Sequence, residues 1–300
     1  MKTDSIVNEP IKKAAGEPGF QSDHRRGDEL RSQGPNRKFA IGLARAFGGA
    51  IIFSLPMLMT MEMWYLGSYI SDLRLALFLV LTIPLLIGLS HYIGFEDTFS
   101  YKDDALDAFV AYAVGFAAAS VALLLFAVIQ SGTALDEIVA KVAIQAVPGS
   151  IGAMLAQSQF GRARKKKDRR EGYGYELFIM AVGALFLALN VAPTEEMVLI
   201  AQQMTDWHTL ALALVSLLIM HAFVYSLEFS GTVAVPEGTP FWSVFLRFTV
   251  GGYAIALIIS MYVLWTFGRA DGVTLHQLIT TAIVLGFPAG VGAAAARLIL

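Results

Sequence analysis

The chain carries one passage twice. Leu135-Asp136-Glu137-Ile138-Val139 runs on to Pro148-Gly149-Ser150-Ile151-Gly152-Ala153, and Leu275-His276-Gln277-Leu278-Ile279 runs on to Pro288-Ala289-Gly290-Val291-Gly292-Ala293. The offset is a constant 140 residues without a gap. Leu135, Pro148, Gly152, Ala153 and Ala156 recur as Leu275, Pro288, Gly292, Ala293 and Ala296. Most positions between them exchange Ile for Val or Leu, or Gly for Ala or Ser. Both copies lie in apolar stretches long enough to cross a bilayer, which takes about 20 mostly apolar residues. The pattern predicts a duplicated membrane protein with a helix-breaking Pro/Gly element at the same place in each half.

Weaker matches extend the repeat in the same order. Leu75-Ala76-Leu77 pairs with Leu210-Ala211-Leu212, Phe95-Glu96 with Glu228-Phe229, and Met61-Glu62-Met63 with Thr194-Glu195-Glu196-Met197. Composition agrees with a membrane location: 56% of the 300 residues are hydrophobic and 15% charged, against about 25% charged in soluble domains. The absence of cysteine excludes disulfides, thiolate catalysis, Fe–S clusters and Cys-ligated zinc. There is no phosphate-cradling loop, His-x-x-x-His pair or nucleophile elbow. The expectation is therefore a protein that is no enzyme, with no cofactor, no metal and no nucleic-acid partner.

Residues 1–38 are polar, charged and poor in aromatics, with no apolar core of a cleavable signal peptide. They read as a disordered cytoplasmic tail, since they cannot bury enough apolar surface to offset ordering. Eight apolar segments follow, at 42–66, 73–95, 105–130, 136–158, 175–193, 207–229, 242–267 and 274–299. The fold class is all-α: a polytopic membrane protein with eight transmembrane helices as two tandem four-helix repeats. The repeats occupy 39–160 and 175–300, joined by a basic cytoplasmic linker at 161–174. Four helices per half is an even number, so both halves insert the same way up, about a pseudo-twofold along the membrane normal.

Charge sets the expected sidedness. The tail carries Arg25, Arg26, Arg31, Arg37 and Lys38, and the linker Arg162, Arg164, Lys165, Lys166, Lys167, Arg169 and Arg170. The opposite side holds only Arg74 and Arg269. The positive-inside rule then places both termini in the cytoplasm. The linker run is also a candidate site for anionic lipid.

Three sets of residues are candidates for chemistry. Pro148 with Gly149, and Pro288 with Gly290, fall mid-segment, where proline frees a carbonyl and kinks a helix. Such interruptions at matching places in two halves point to a transporter's central site. Small-residue packing faces are the plainer reading. Intramembrane polar residues form the second set: His221, expected near Gln145 and the two prolines, Glu62 and Asn190 at the outer level, and His91 near the inner end. A buried ionisable group costs at least about 2.5 kcal/mol in lipid and is a functional hypothesis by default. The third set is the acidic group Glu96, Asp97, Asp103, Asp104 and Asp107. It reads as a cation site or, more simply, as helix-dipole complements. Glu228 and Arg247 are expected to pair at the inner boundary.

Arg45-Ala46-Phe47-Gly48-Gly49-Ala50 through Phe53-Ser54-Leu55-Pro56, the Gly94-Phe95-Glu96-Asp97 turn and the paired prolines carry a resemblance. Over about residues 40–300 the chain resembles an uncharacterised family of bacterial integral membrane proteins, a domain of unknown function. The resemblance implies a bacterial inner-membrane protein and supplies no catalytic residues. The expected function is a small-solute or ion transporter or channel, with a conduit between the halves lined by the fourth and eighth helices. The alternative is a non-transporting membrane subunit that binds a partner protein through tail and linker. Homo-oligomers suit either reading.

Overall fold

In the computed structural model the described residues are 35–93, 101–160, 172–226, 242 and 245–299, and among them there are helices and no strands. The first half contains α1 (Pro35–Leu58), α2 (Met61–Tyr69), α3 (Asp72–Ile93), α4 (Tyr101–Leu125) and α5 (Leu135–Phe160). The second contains α6 (Tyr173–Val191), the short α7 (Glu195–Gln203) and α8 (Asp206–Ser226). A π-helical turn (Phe245–Val250) then leads into α9 (Gly251–Thr266), followed by α10 (Leu275–Ile299). Eight helices among the described residues are long and apolar enough to cross a membrane. By packing, the chain divides into residues 1–42, of which Pro35–Gly42 form the opening turns of α1, and Leu43–Leu300, whose packing is described below.

Two expectations about boundaries change. Helix begins at Pro35, inside the segment assigned to the tail. The first apolar segment, 42–66, is broken: α1 stops at Leu58, the chain turns at Met59–Thr60, and Glu62 opens α2 rather than lying within the spanning helix. The Thr60 hydroxyl donates to the Pro56 carbonyl (2.6 Å), satisfying one of the acceptors left at the helix end. The second half does the same, where the Thr194 hydroxyl donates to the Val191 carbonyl (2.8 Å) ahead of α7. The short helices are tied down by Met63 and Leu66 in α2 and by Met197 in α7, all buried.

α5 and α10 are the hubs of their halves. The most apolar stretch of α5 is 83% buried and that of α10 61%, against 17–44% for the other spans. Each hub meets the first helix of its own half at a backbone contact. A methyl group on Gly49 would collide with the Gly152 carbonyl and the Ala156 Cβ. One on Gly183 would collide with the Gly292 carbonyl and the Ala296 Cβ. These partners are the 140-residue equivalents read from the sequence, and glycine lets the backbones close. Pro148 and Pro288 lie inside α5 and α10, which run on as single helices through them.

The seam between the halves is aromatic. Phe53 meets Phe186 (ring centroids 5.0 Å), Phe78 meets Phe267 (6.0 Å), and Tyr92 sits between Tyr175 and Phe178 (5.3 and 5.4 Å). At one end Arg74 donates twice to Asp271 (2.6 Å each) and lies over Trp265. α3 thus lies in the seam against α6 and α9. Within the halves, α3 packs on α4 and α5, and its counterpart α8 packs on the π-helical turn and α10.

Candidate functional site

The first-half hub carries a polar ladder on the face that meets α1 and α2. Residues four apart share a helix face, so Glu137, Lys141 and Gln145 stack down α5. Ser68 of α2 donates to Glu137 Oε1 (2.8 Å), and Lys141 Nζ pairs with the same oxygen (2.6 Å). Burial deepens along the ladder: the side chains of Glu137, Lys141 and Gln145 are 31%, 11% and 1% exposed. Backbone of α2 presses on the lysine, for a methyl on Gly67 would collide with its stem.

At the foot of the ladder Gln145 Nε2 donates to the Met57 carbonyl (3.2 Å). Its Oε1 is buried and has no partner among the described residues. Asn190 repeats the pattern from the other half: Nδ2 donates to the Phe186 carbonyl (2.6 Å) and Oδ1 is buried and unpartnered. The two amides stand at one level. α1 and α6 run in the same direction, since α1 leads through α2 to Arg74 at the start of α3, and α6 leads to Pro193, which accepts from Arg269 near the Arg74–Asp271 end. Phe53 touches Phe186, and Met57 and Asn190 each follow one turn later on the same faces. A buried carbonyl oxygen without a donor costs about 1–3 kcal/mol, so each calls for a ligand or water.

The other expected residues have the following neighbours. His221 Nδ1 lies 3.0 Å from the buried Thr249 hydroxyl in the π-helical turn, and Phe245 approaches its ring edge-on. Glu62 is half-buried in the first turn of α2, where a carboxylate complements the helix dipole. Gly149 lies against Gly115, and Gly290 against Met220 and Tyr253, so the residues beside the prolines serve packing.

At the opposite end of the bundle the acidic set divides. Asp104 is buried, takes His91 Nδ1 at 2.9 Å and accepts from Ser90 (3.3 Å), which also reaches Asp107 (3.3 Å). Asp103 is exposed, while Glu96 and Asp97 lie outside the described residues. No group of three or more His, Asp or Glu able to hold a metal occurs among the described residues. The Arg162–Arg170 run and Glu228 also lie outside them, and Arg247 is exposed with its carbonyl accepting from Tyr173 (3.1 Å).

Sequence reasoning missed three charged pairs. Glu137–Lys141 is masked by the apolar residues around it, although its four-residue spacing was a readable signal. Arg297 Nε donates to Glu176 Oε2 (2.8 Å), with 9% and 11% of the side chains exposed, and its guanidinium lies over Phe248. Arg74–Asp271 spans the halves. Its hydrogen bonds hold the Asp271 carboxyl below the ordinary aspartate range, and its charge adds to the effect.

Residues 42–300 match the family described as "Putative integral membrane protein (DUF2391)". No curated protein and no solved structure matches the chain. The match runs from within the first candidate span, Phe39–Leu58, through the eighth. The chain belongs to the DUF2391 family of integral membrane proteins.

Proposed function

We propose that this protein is a small-solute or ion transporter or channel, rather than an enzyme, whose polar site lies in the seam between its halves. The two buried amide oxygens of Gln145 and Asn190 carry this reading. The Glu137–Lys141 ladder supports it by leading from the more exposed end of α5 down to Gln145. On this reading the conduit follows α1, α5 and α6 rather than running between α5 and α10, and His221 and Glu62 brace neighbouring elements. The repeated contacts at Gly49 and Gly183 support two like-oriented quartets derived by duplication. The basic tail and linker favour an inner-membrane protein with both termini cytoplasmic, which puts the Arg74–Asp271 end outside.

The test is flux in proteoliposomes made with the full-length protein. Gln145→Leu and Asn190→Leu remove the oxygens at nearly constant volume. Each is expected to reduce flux by about tenfold or more, while the folded helical protein is recovered from the membrane in normal yield. Unchanged flux in both variants refutes the site.

A further inference from the structure

The free atoms of the seam site show what charge it accepts. Gln145 and Asn190 both aim their NH2 groups at backbone carbonyls, at 3.2 and 2.6 Å. Turning either amide over would set oxygen against oxygen, so the orientation is fixed by its neighbours. What remains at each is a carbonyl oxygen, which is an acceptor only. The nearest carboxylate on the same face of α5 is Glu137, and Lys141 already neutralises it at 2.6 Å. Lys141 is itself a monovalent cation on that carboxylate, enclosed by the α2 backbone.

On the strength of the transport reading above, we infer that the site takes a monovalent cation, with the Lys141 ammonium acting as the resident counter-ion that denies Glu137 to divalent ions. An anion would face two sets of carbonyl lone pairs. A divalent ion such as Ca²⁺ needs several oxygen ligands that include ionised carboxylates, and the ladder offers no unneutralised one. Neutral carbonyl oxygens suit an alkali cation, whose hydration shell they replace. The ladder carries no net charge, so a monovalent cation passes it without meeting an uncompensated ammonium.

The experiment loads proteoliposomes of the full chain with K⁺, Na⁺, Ca²⁺, Cl⁻ or urea and follows each separately. Wild type is expected to pass K⁺ or Na⁺ and neither Ca²⁺, Cl⁻ nor urea. Lys141→Met frees the Glu137 carboxylate, and Gln145→Glu puts a carboxylate into the site itself. Either variant is expected to gain Ca²⁺ flux about tenfold above empty vesicles. Glu137→Gln leaves the ammonium unpaired and is expected to cut monovalent flux by a similar factor. Using both Lys141→Met and Gln145→Glu keeps the test decisive if one fails to fold, since folded variants that pass no Ca²⁺ overturn the inference. Wild-type flux of Cl⁻, urea or Ca²⁺ overturns the monovalent-cation assignment and leaves the transport reading standing. Absence of flux for all five solutes overturns both.

Discussion

α5 and α10 occupy the same place in their halves and share Pro148/Pro288, Gly152/Gly292 and Ala156/Ala296, yet one is charged where the other is neutral. Glu137, Lys141 and Gln145 of α5 correspond to Gln277, Thr281 and Leu285 of α10. The Thr281 hydroxyl donates to the Gln277 carbonyl in its own helix (2.8 Å), so the second hub has no polar ladder to the interior. In α10 the buried charge lies at the other end, where Arg297 holds Glu176. The small residues that let a hub pack are therefore common to both, while the polar residues differ. Packing and the candidate site are separable features of one helix design.

The most severe test of the shared part is Gly49→Leu against Gly183→Leu. Each forces a side chain into backbone and is expected to cost about 3 kcal/mol, the upper range for overpacking, measured by denaturant unfolding in detergent. Tolerance of one and not the other would break the equivalence of the hubs. Arg297→Met follows, at about 3 kcal/mol in the same assay, because it leaves Glu176 charged in a mostly buried position. Exchanging Glu137, Lys141 and Gln145 together for the Gln, Thr and Leu of α10 sharpens the contrast. Stability should change by only about 1 kcal/mol, but flux should fall about tenfold or more. Thr249→Val removes one hydrogen-bond partner of His221 and should cost about 1 kcal/mol.

The smallest effect concerns pH. Asp271 is held below its ordinary pKa by Arg74 in the folded state. A depressed carboxylate stabilises above its unfolded pKa, and that contribution is lost as pH falls through the folded value. Between neutral pH and the acid side of the aspartate range, wild type should lose more stability than Asp271→Asn. The difference is small, about 0.5 kcal/mol, because Asp271 is largely solvated. Equal acid profiles would remove this pair from the seam.

Much of the fold was legible because lipid imposes a simple rule: spanning helices are long and apolar, and loops are not. The eight segments come from that rule, and the hub side of the Gly49 and Gly183 contacts follows from the matched Gly152/Gly292 and Ala156/Ala296. The break at Met59–Thr60 was hidden, since α2 continues with Met61, Met63, Trp64 and Leu66 at unchanged hydrophobicity. The π-helical turn has no local signature. Gln145 and Asn190 were visible as intramembrane amides, but depth alone could not show which carbonyls their NH2 groups hold. Lys141 was obscured because its carboxylate lies one turn away and cancels its charge.

Backbone contact at Gly49 and at Gly183 leaves no slack between the first and last helices of a half. On the transport reading proposed above, alternation of access comes from movement along the aromatic seam rather than between these helices. The ionic clasp of Arg74 and Asp271 closes one rim of that seam and the tilted Tyr92–Tyr175 pair the other. Concentrated salt should therefore loosen only the clasped rim, tilting the halves apart on one side of the bilayer and not on the other.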